Sequence, residues 1–256
     1  MRLTFLGTGT SFGVPQIGCG CAVCRSSDPR DKRTRSGAVV ESGGSTILID
    51  TPPELRLQLL SAGFTRIDAV VYTHEHADHI NGIDDLRIFS QRQPLPIYGP
   101  AETLARLRGS FNYIFDDAVR PYEGTSKPRL ALHEIEPNQM LTVANVPVLP
   151  LAFPHGHLRV FGYRFGNLAY ITDVKTISPP ERERLRGLDV LVLNALWWRP
   201  HPTHMSIPEA VETAQSLGAA RTYLTHLTHE TGHADLESKL PAGISPAYDG
   251  LSVEVA

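Results

Sequence analysis

Ala69-Val-Val-Tyr-Thr-His74-Glu-His76-Ala-Asp78-His79 decides how this chain is read. A β run ends at Tyr72, and four side chains able to bind a metal follow within the six residues His74 to His79. On an extended backbone residues i and i+2 point the same way, so His74 and His76 can grip one ion. Asp78 and His79 fall where the chain turns into a helix and face a neighbouring point. One short loop therefore supplies two adjacent metal positions, the arrangement of a binuclear hydrolytic centre. Imidazole together with carboxylate suits zinc, manganese or iron rather than calcium. A lone histidine at a strand end is ordinarily a packing residue, but four ligand types in this spacing are not explained that way.

The pattern resembles the signature of the metallo-β-lactamase superfamily, which implies three further ligands at the ends of later strands. Phe153-Pro-His155-Gly-His157, Leu168-Ala-Tyr-Ile-Thr-Asp173 and Thr222-Tyr-Leu-Thr-His226 supply them in the implied order. By resemblance His74, His76 and His155 hold the first ion, Asp78, His79 and His226 the second, and Asp173 bridges both. His157 competes with His155; His155 is preferred because it comes first after the strand, with Gly156 giving the backbone room behind it. Asp50, closing Ile47-Leu-Ile-Asp, matches a position that orients the metal loop through hydrogen bonds without binding metal. The implied fold is an αββα sandwich, two mixed sheets face to face with helices outside, in one domain over residues 1–256.

The rest of the chain is patterned accordingly. Strands are expected at Arg2–Leu6, Ala38–Glu41, Thr46–Asp50, Ala69–Tyr72, Pro147–Ala152, Val160–Phe165, Leu168–Thr172, Val190–Leu193 and Thr222–Thr225. Helical patterns fall at Pro53–Ala62, Ala101–Gly109, Pro179–Arg186 and Ile207–Leu217, the last with Ser206 as N-cap. Gln91–Pro96 and Tyr122–Pro128 read as exposed loops, and the basic stretch Arg30–Arg35 as a solvated face or dimer edge.

Composition sets the outer bounds. The 256 residues are 41% hydrophobic and 20% charged with a net charge of -3, which describes a globular chain and excludes disordered or collagen-like classes. That balance argues against a dedicated nucleic-acid binder. No apolar run approaches the roughly 20 residues of a membrane span, and Met1–Thr10 does not have the pattern of a signal peptide, so a cytoplasmic protein is expected.

All three cysteines lie in Cys19-Gly-Cys21-Ala-Val-Cys24, poor material for a disulfide framework and good material for a metal site. A tetrahedral zinc needs a fourth ligand, and His229, three residues beyond His226, is well placed. This arrangement, with the Gly7-Thr-Gly-Thr-Ser opening and the late Ala247-Tyr-Asp-Gly, is similar to the PhnP-like phosphodiesterase branch of the superfamily. That resemblance implies two divalent ions (zinc or manganese) at the active site plus one structural zinc, and a homodimer. It implies hydrolysis of a small cyclic phosphodiester such as a ribose 1,2-cyclic phosphate, at a site where Asp78 and Asp173 serve the metals. It also implies that His204, in Arg199-Pro-His201-Pro-Thr-His204, contacts the phosphate and acts as general acid. His201, between two prolines, reads as a loop residue; His133 and His233 read as surface or helix-end residues, and Trp197 and Trp198 as packing. The rival readings are a tRNA 3′-processing nuclease, which wants a basic arm not seen here, an ester, lactone or thioester hydrolase on the same metals, and a non-enzymatic metal-binding scaffold.

Overall fold

The strongest apolar runs are continuous rather than alternating, and the architecture gives the reason: both faces of each sheet are covered. The computed structural model describes residues 1–256. One sheet begins with β1 (Arg2–Gly7), β2 (Gly37–Ser42), β3 (Ser45–Ile49), β4 (Ala69–Val71), β5 (Leu95–Gly99) and β6 (Leu130–Glu134). The other holds β7 (Leu141–Val143), β8 (Val146–His155), β9 (Leu158–Phe165), β10 (Leu168–Ile171), β11 (Val190–Asn194), β12 (Arg221–Thr225) and β13 (Ile244–Pro246). The last strand, β14 (Ser252–Glu254), returns to pair with β1. Strand order is β14-β1-β2-β3-β4-β5-β6 in the first sheet and β13-β12-β11-β10-β9-β8-β7 in the second, each antiparallel in one half and parallel in the other.

Eight helices are α1 (Ala22–Arg25), α2 (Leu55–Ala62), α3 (Ala77–Ile80), α4 (Ala101–Ser110), α5 (Asn112–Phe115), α6 (Pro179–Arg184), α7 (Ile207–Leu217) and α8 (His233–Lys239). Alternate residues of one strand serve different layers. Ile47 and Ile49 of β3 face the core between the sheets, where Phe161, Tyr163 and Tyr170 lie, while Leu48 packs outward among Leu55 and Leu59 of α2. In β11, Val190 and Val192 face inward, and Leu191 and Leu193 face Ala210 and Ala214 of α7. This is the αββα sandwich. At α7 the Ser206 side chain accepts from the Glu209 amide while Glu209 reaches back to the Ser206 amide, a reciprocal cap that fixes where the preceding loop ends. No helix is long and apolar enough to cross a membrane.

Several expectations need correction. Gln91–Pro96 is not wholly loop: Leu95 and Pro96 open β5, and Leu95 is buried. Within Arg30–Arg35 the chain is not simply a solvated face. Arg33 is only 3% exposed and donates to Thr8 Oγ1 at 2.8 Å and to the Ala247 carbonyl at 2.5 Å. Arg35 is tied to Glu54 and to the Ser11 carbonyl. His233 is a helix-end residue, as one of the two expected readings had it, but a buried one: it opens α8 at 2% exposure, with Nδ1 3.3 Å from Arg33 Nη2. His133 does lie on the surface, stacked on Tyr98.

Candidate metal centre

Parallel strands end at one edge of the sandwich, and the side chains that follow them converge there, as in other open α/β sheets. Asp50 follows β3, His74 and His76 follow β4, Asp173 follows β10, and His226 follows β12. His155 closes β8 at its hairpin with β9, and Asp78 and His79 sit in α3. Three of these residues take backbone conformations that side chains with a Cβ rarely adopt: φ is 62° at Asp50, 59° at Asp173 and 58° at His226. Each costs about 1 kcal/mol, and strain of this kind gathers at functional sites. Here it turns the chain sharply at the strand end, and the same residue presents the side chain.

The ligand atoms fall into two adjoining groups, His74/His76/His155/Asp173 and Asp78/His79/His226, each with all its atoms within 4.8 Å of one another. Asp173, 1% exposed, joins them. Its Oδ1 lies 3.2 Å from His226 Nδ1, and its Oδ2 lies 3.8 Å from His74 Nε2 and 3.7 Å from His79 Nε2. His74 Nε2 and His76 Nδ1 are 2.9 Å apart, and His79 Nε2 is 3.4 Å from Asp78 Oδ2. Ligands about 2.1 Å from a tetrahedral ion are about 3.4 Å from one another, so these separations suit a cation among them.

The surrounding hydrogen bonds decide which ring nitrogen faces inward. Asp50 Oδ1 accepts from the Thr73 amide, and its Oδ2 accepts from Thr73 Oγ1 and His79 Nδ1, all at 2.7 Å. Thr73 Oγ1, having donated, accepts from His74 Nδ1 at 3.0 Å. His155 Nδ1 donates to the Thr203 carbonyl at 3.2 Å. In His74, His79 and His155 the proton therefore sits on Nδ1 and the Nε2 lone pair is left for the site, the tautomer that a metal requires. The buried His79 Nε2 has no hydrogen-bond partner at all. A buried nitrogen left bare is costly, and a cation would relieve it, so the residues fit a divalent metal. Burial also lowers the pKa of His74 and His155 and brings that of His226 down to about 4, which keeps these rings in the neutral, ligating form.

Of the expected site residues, His155 joins the cluster and the competing His157 does not; it is exposed on the rim. Asp50 orients and lies outside the ligand groups, as its position implied. His204 Nε2 lies 3.2 Å from Asp173 Oδ2. A cleft of about 570 Å³ opens over the cluster, and Ser11, His157, Thr203 and His204 are among its walls. Ser11 and Thr203 had no distinguishing spacing in the sequence. His201 lies in the loop as expected, and its Nδ1 is 3.2 Å from His204 Nδ1.

Cys19, Cys21, Cys24 and His229 form a separate group. The three thiol sulfurs lie 3.3, 3.4 and 3.5 Å from one nitrogen, His229 Nδ1. Cys21 Sγ caps α1 by accepting from the Cys24 amide, and that bond with the His229 contact brings its thiol down to about 6, toward the thiolate that binds metal.

A family model described as a β-lactamase superfamily domain matches residues 45–227. The chain is 42% identical to the octanoyltransferase of Porphyromonas gingivalis over 98% of its own length and 51% of that protein. It thus spans about half the length of that relative. It is 27% identical to coenzyme PQQ synthesis protein B of Methylobacterium nodulans, over 76% of this chain and 72% of that one. Among solved structures, a diphosphatase from the PhnP family superposes with a TM-score of 0.91 at 42% identity, covering 99% of this chain and 97% of that one. Zinc-bound PqqB from Methylobacterium extorquens follows the same fold, with a TM-score of 0.79 at 20% identity over 99% and 100% of the two chains.

Proposed function

This chain belongs to the metallo-β-lactamase superfamily and, within it, to the PhnP family, and from that premise we propose that it is a metal-dependent phosphoric diester hydrolase acting on a small molecule. The substrate phosphorus carries two ester or anhydride substituents, as in a ribose 1,2-cyclic phosphate or a disubstituted diphosphate. Asp173 carries the reading: one buried carboxylate faces imidazoles of both ligand groups and His204 at the same time. His74, His76 and His155 would hold one divalent ion, Asp78, His79 and His226 a second, and Asp173 both; zinc and manganese suit this donor set. When bound, such a pair supplies Lewis acidity to phosphoryl oxygens and lowers the pKa of water.

The remaining work falls to side chains of the cleft. His204 Nε2 faces the cluster from the loop side, half-buried at 13% side-chain exposure, and gives its proton to the leaving oxygen. Asp173 Oδ2 holds that nitrogen in place from below. Asp50 and Thr73 keep the His79 and His74 rings aimed. The test is turnover of bis(p-nitrophenyl) phosphate by the zinc- or manganese-loaded enzyme, set beside an octanoyl thioester. Diester hydrolysis that a chelator abolishes and either cation restores is the expected result; failure to cleave the diester in either metal form overturns the proposal. The 42% likeness to an octanoyltransferase favours a second reading, acyl ester or thioester hydrolysis at the same centre. Thioester turnover without diester turnover would select it.

Cys19, Cys21, Cys24 and His229 are assigned to a structural zinc. Elemental analysis should give about three metals per chain in the wild type and about two in Cys21→Ser, the missing one being zinc. Two or fewer in the wild type, unchanged by the substitution, would remove this assignment and leave the hydrolytic centre standing.

A further inference from the structure

β11 lies between β10 and β12, so its last residue, Asn194, sits between the strand ends that carry Asp173 and His226. Asn194 is fully buried. The Val174 amide, one residue past Asp173, donates to Asn194 Oδ1 at 2.8 Å. A backbone amide can only donate, so this contact fixes which end of the Asn194 side chain faces the turn. The carbonyl of the same Val174 accepts from the Met205 amide at 2.9 Å, and the Met205 carbonyl accepts from the Leu196 amide, also at 2.9 Å. The loop that carries His204 therefore hangs on Val174. On the far side the Ala195 amide donates to the Thr225 carbonyl at 2.9 Å, just before His226. Asn194 Nδ2 is buried without a partner. A bare buried donor is costly, so burial alone would favour an apolar residue of similar size here, such as leucine. What leucine lacks is an acceptor for the Val174 amide.

We propose that Asn194 is a positioning residue: by holding the Val174 peptide it sets where His204 stands over the metal cluster. The inference rests on the reading that His204 acts in turnover. The path is short. Asn194 Oδ1 fixes the Val174 amide, the Val174 carbonyl fixes the Met205 amide, and His204 is the residue before Met205. Asp173 is the residue before Val174, so both functional side chains stand one residue away from the same pair of hydrogen bonds. Without the Asn194 acceptor the Val174 peptide is free to rotate, and its carbonyl turns away from the Met205 amide. Asp173 keeps its other contacts, to Thr172 Oγ1 and to the His74, His79 and His226 rings. Loss of the acceptor therefore displaces His204 and spares the metal ligands. A displacement of about 1 Å in a group that acts on substrate is enough to cost on the order of 10²-fold in rate.

The test uses zinc-loaded wild type, Asn194→Leu and Asn194→Ala. Both variants remove the acceptor, one at similar volume and one with loss of volume, so an effect they share belongs to the missing oxygen. Asn194→Leu also exchanges one unpaired buried group for another, and the fold should survive it. In crystal structures of the variants the Met205 amide should no longer meet the Val174 carbonyl, and the His204 ring should move by about 1 Å or more from its wild-type place. The kcat on the diester should fall about 10- to 100-fold, with KM and metal content within about twofold of wild type. In a His204→Ala background Asn194→Leu should add less than about threefold to the loss, because both changes then act through one side chain. An unmoved His204 in both variants overturns the proposal. So does a loss of kcat that is matched by loss of metal, or one that adds fully to that of His204→Ala. The structures need no substrate, so an absence of diester turnover in the wild type would count against the proposed function and leave this inference to be judged on the place of His204.

Discussion

Asp173→Ala should lower turnover by about 10³-fold or more and strip metal from both ligand groups. The reason is geometric. Its two oxygens lie between 3.2 and 3.8 Å from four imidazole nitrogens drawn from three segments of the chain. Removing one fixed electrostatic group from an active site commonly costs about 10²–10³ in rate, and on the proposed reading this carboxylate serves two cations and an acid together. Its loss also leaves buried imidazoles facing one another without a counter-charge, so metal affinity should fall with activity. Elemental analysis against diester turnover checks the pair of effects. Retention of both ions with activity within tenfold of wild type would show that the groups do not share Asp173 as a bridge.

His204→Ala should cut kcat by about 10²–10⁴ while leaving metal content and KM nearly unchanged. The contrast between substrates is sharper than the size of the loss. p-Nitrophenolate leaves without help, whereas an alkoxide needs a proton, so the deficit should be much larger on an alkyl diester than on bis(p-nitrophenyl) phosphate. Equal deficits on both would mean that His204 acts by position or charge and not as an acid. His204 also lies within ligand distance of Asp173 and His226; metal loss in the variant would make it a ligand and sink its role as proton donor.

The candidate ligands could be picked out in the sequence because each lies at the end of a buried strand or in the short stretch just beyond it, and a buried strand between two covered faces writes itself as an uninterrupted apolar run. The four strands at the sheet edges, β6, β7, β13 and β14, were not readable. An edge strand has one neighbour instead of two, so short, half-exposed stretches such as Leu141–Val143 and Ser252–Glu254 carry little pattern. β5 was hidden for another reason, since Pro96 inside it speaks against a strand. Parallel pairing with β6 tolerates it. Arg33 shows the limit of charge runs: its partners Thr8 and Ala247 lie 25 and 214 residues away, so nothing local announced its burial. His201 was obscured by its prolines, which suggested an inert turn. In the fold, Pro202 leaves the amides of Thr203 and His204 to converge on the His201 ring.

The left-handed backbone at Asp50, Asp173 and His226 has a consequence for anyone improving this protein by selection. Glycine would relieve the torsion at each position by about 1 kcal/mol. At Asp50 it would also leave the Thr73 amide and His79 Nδ1 without their buried acceptor, at about 1–3 kcal/mol for each group. A library screened only for heat resistance should therefore keep Asp50, although its backbone alone would favour glycine. The strained torsion is retained because the side chain that it presents satisfies the groups behind it.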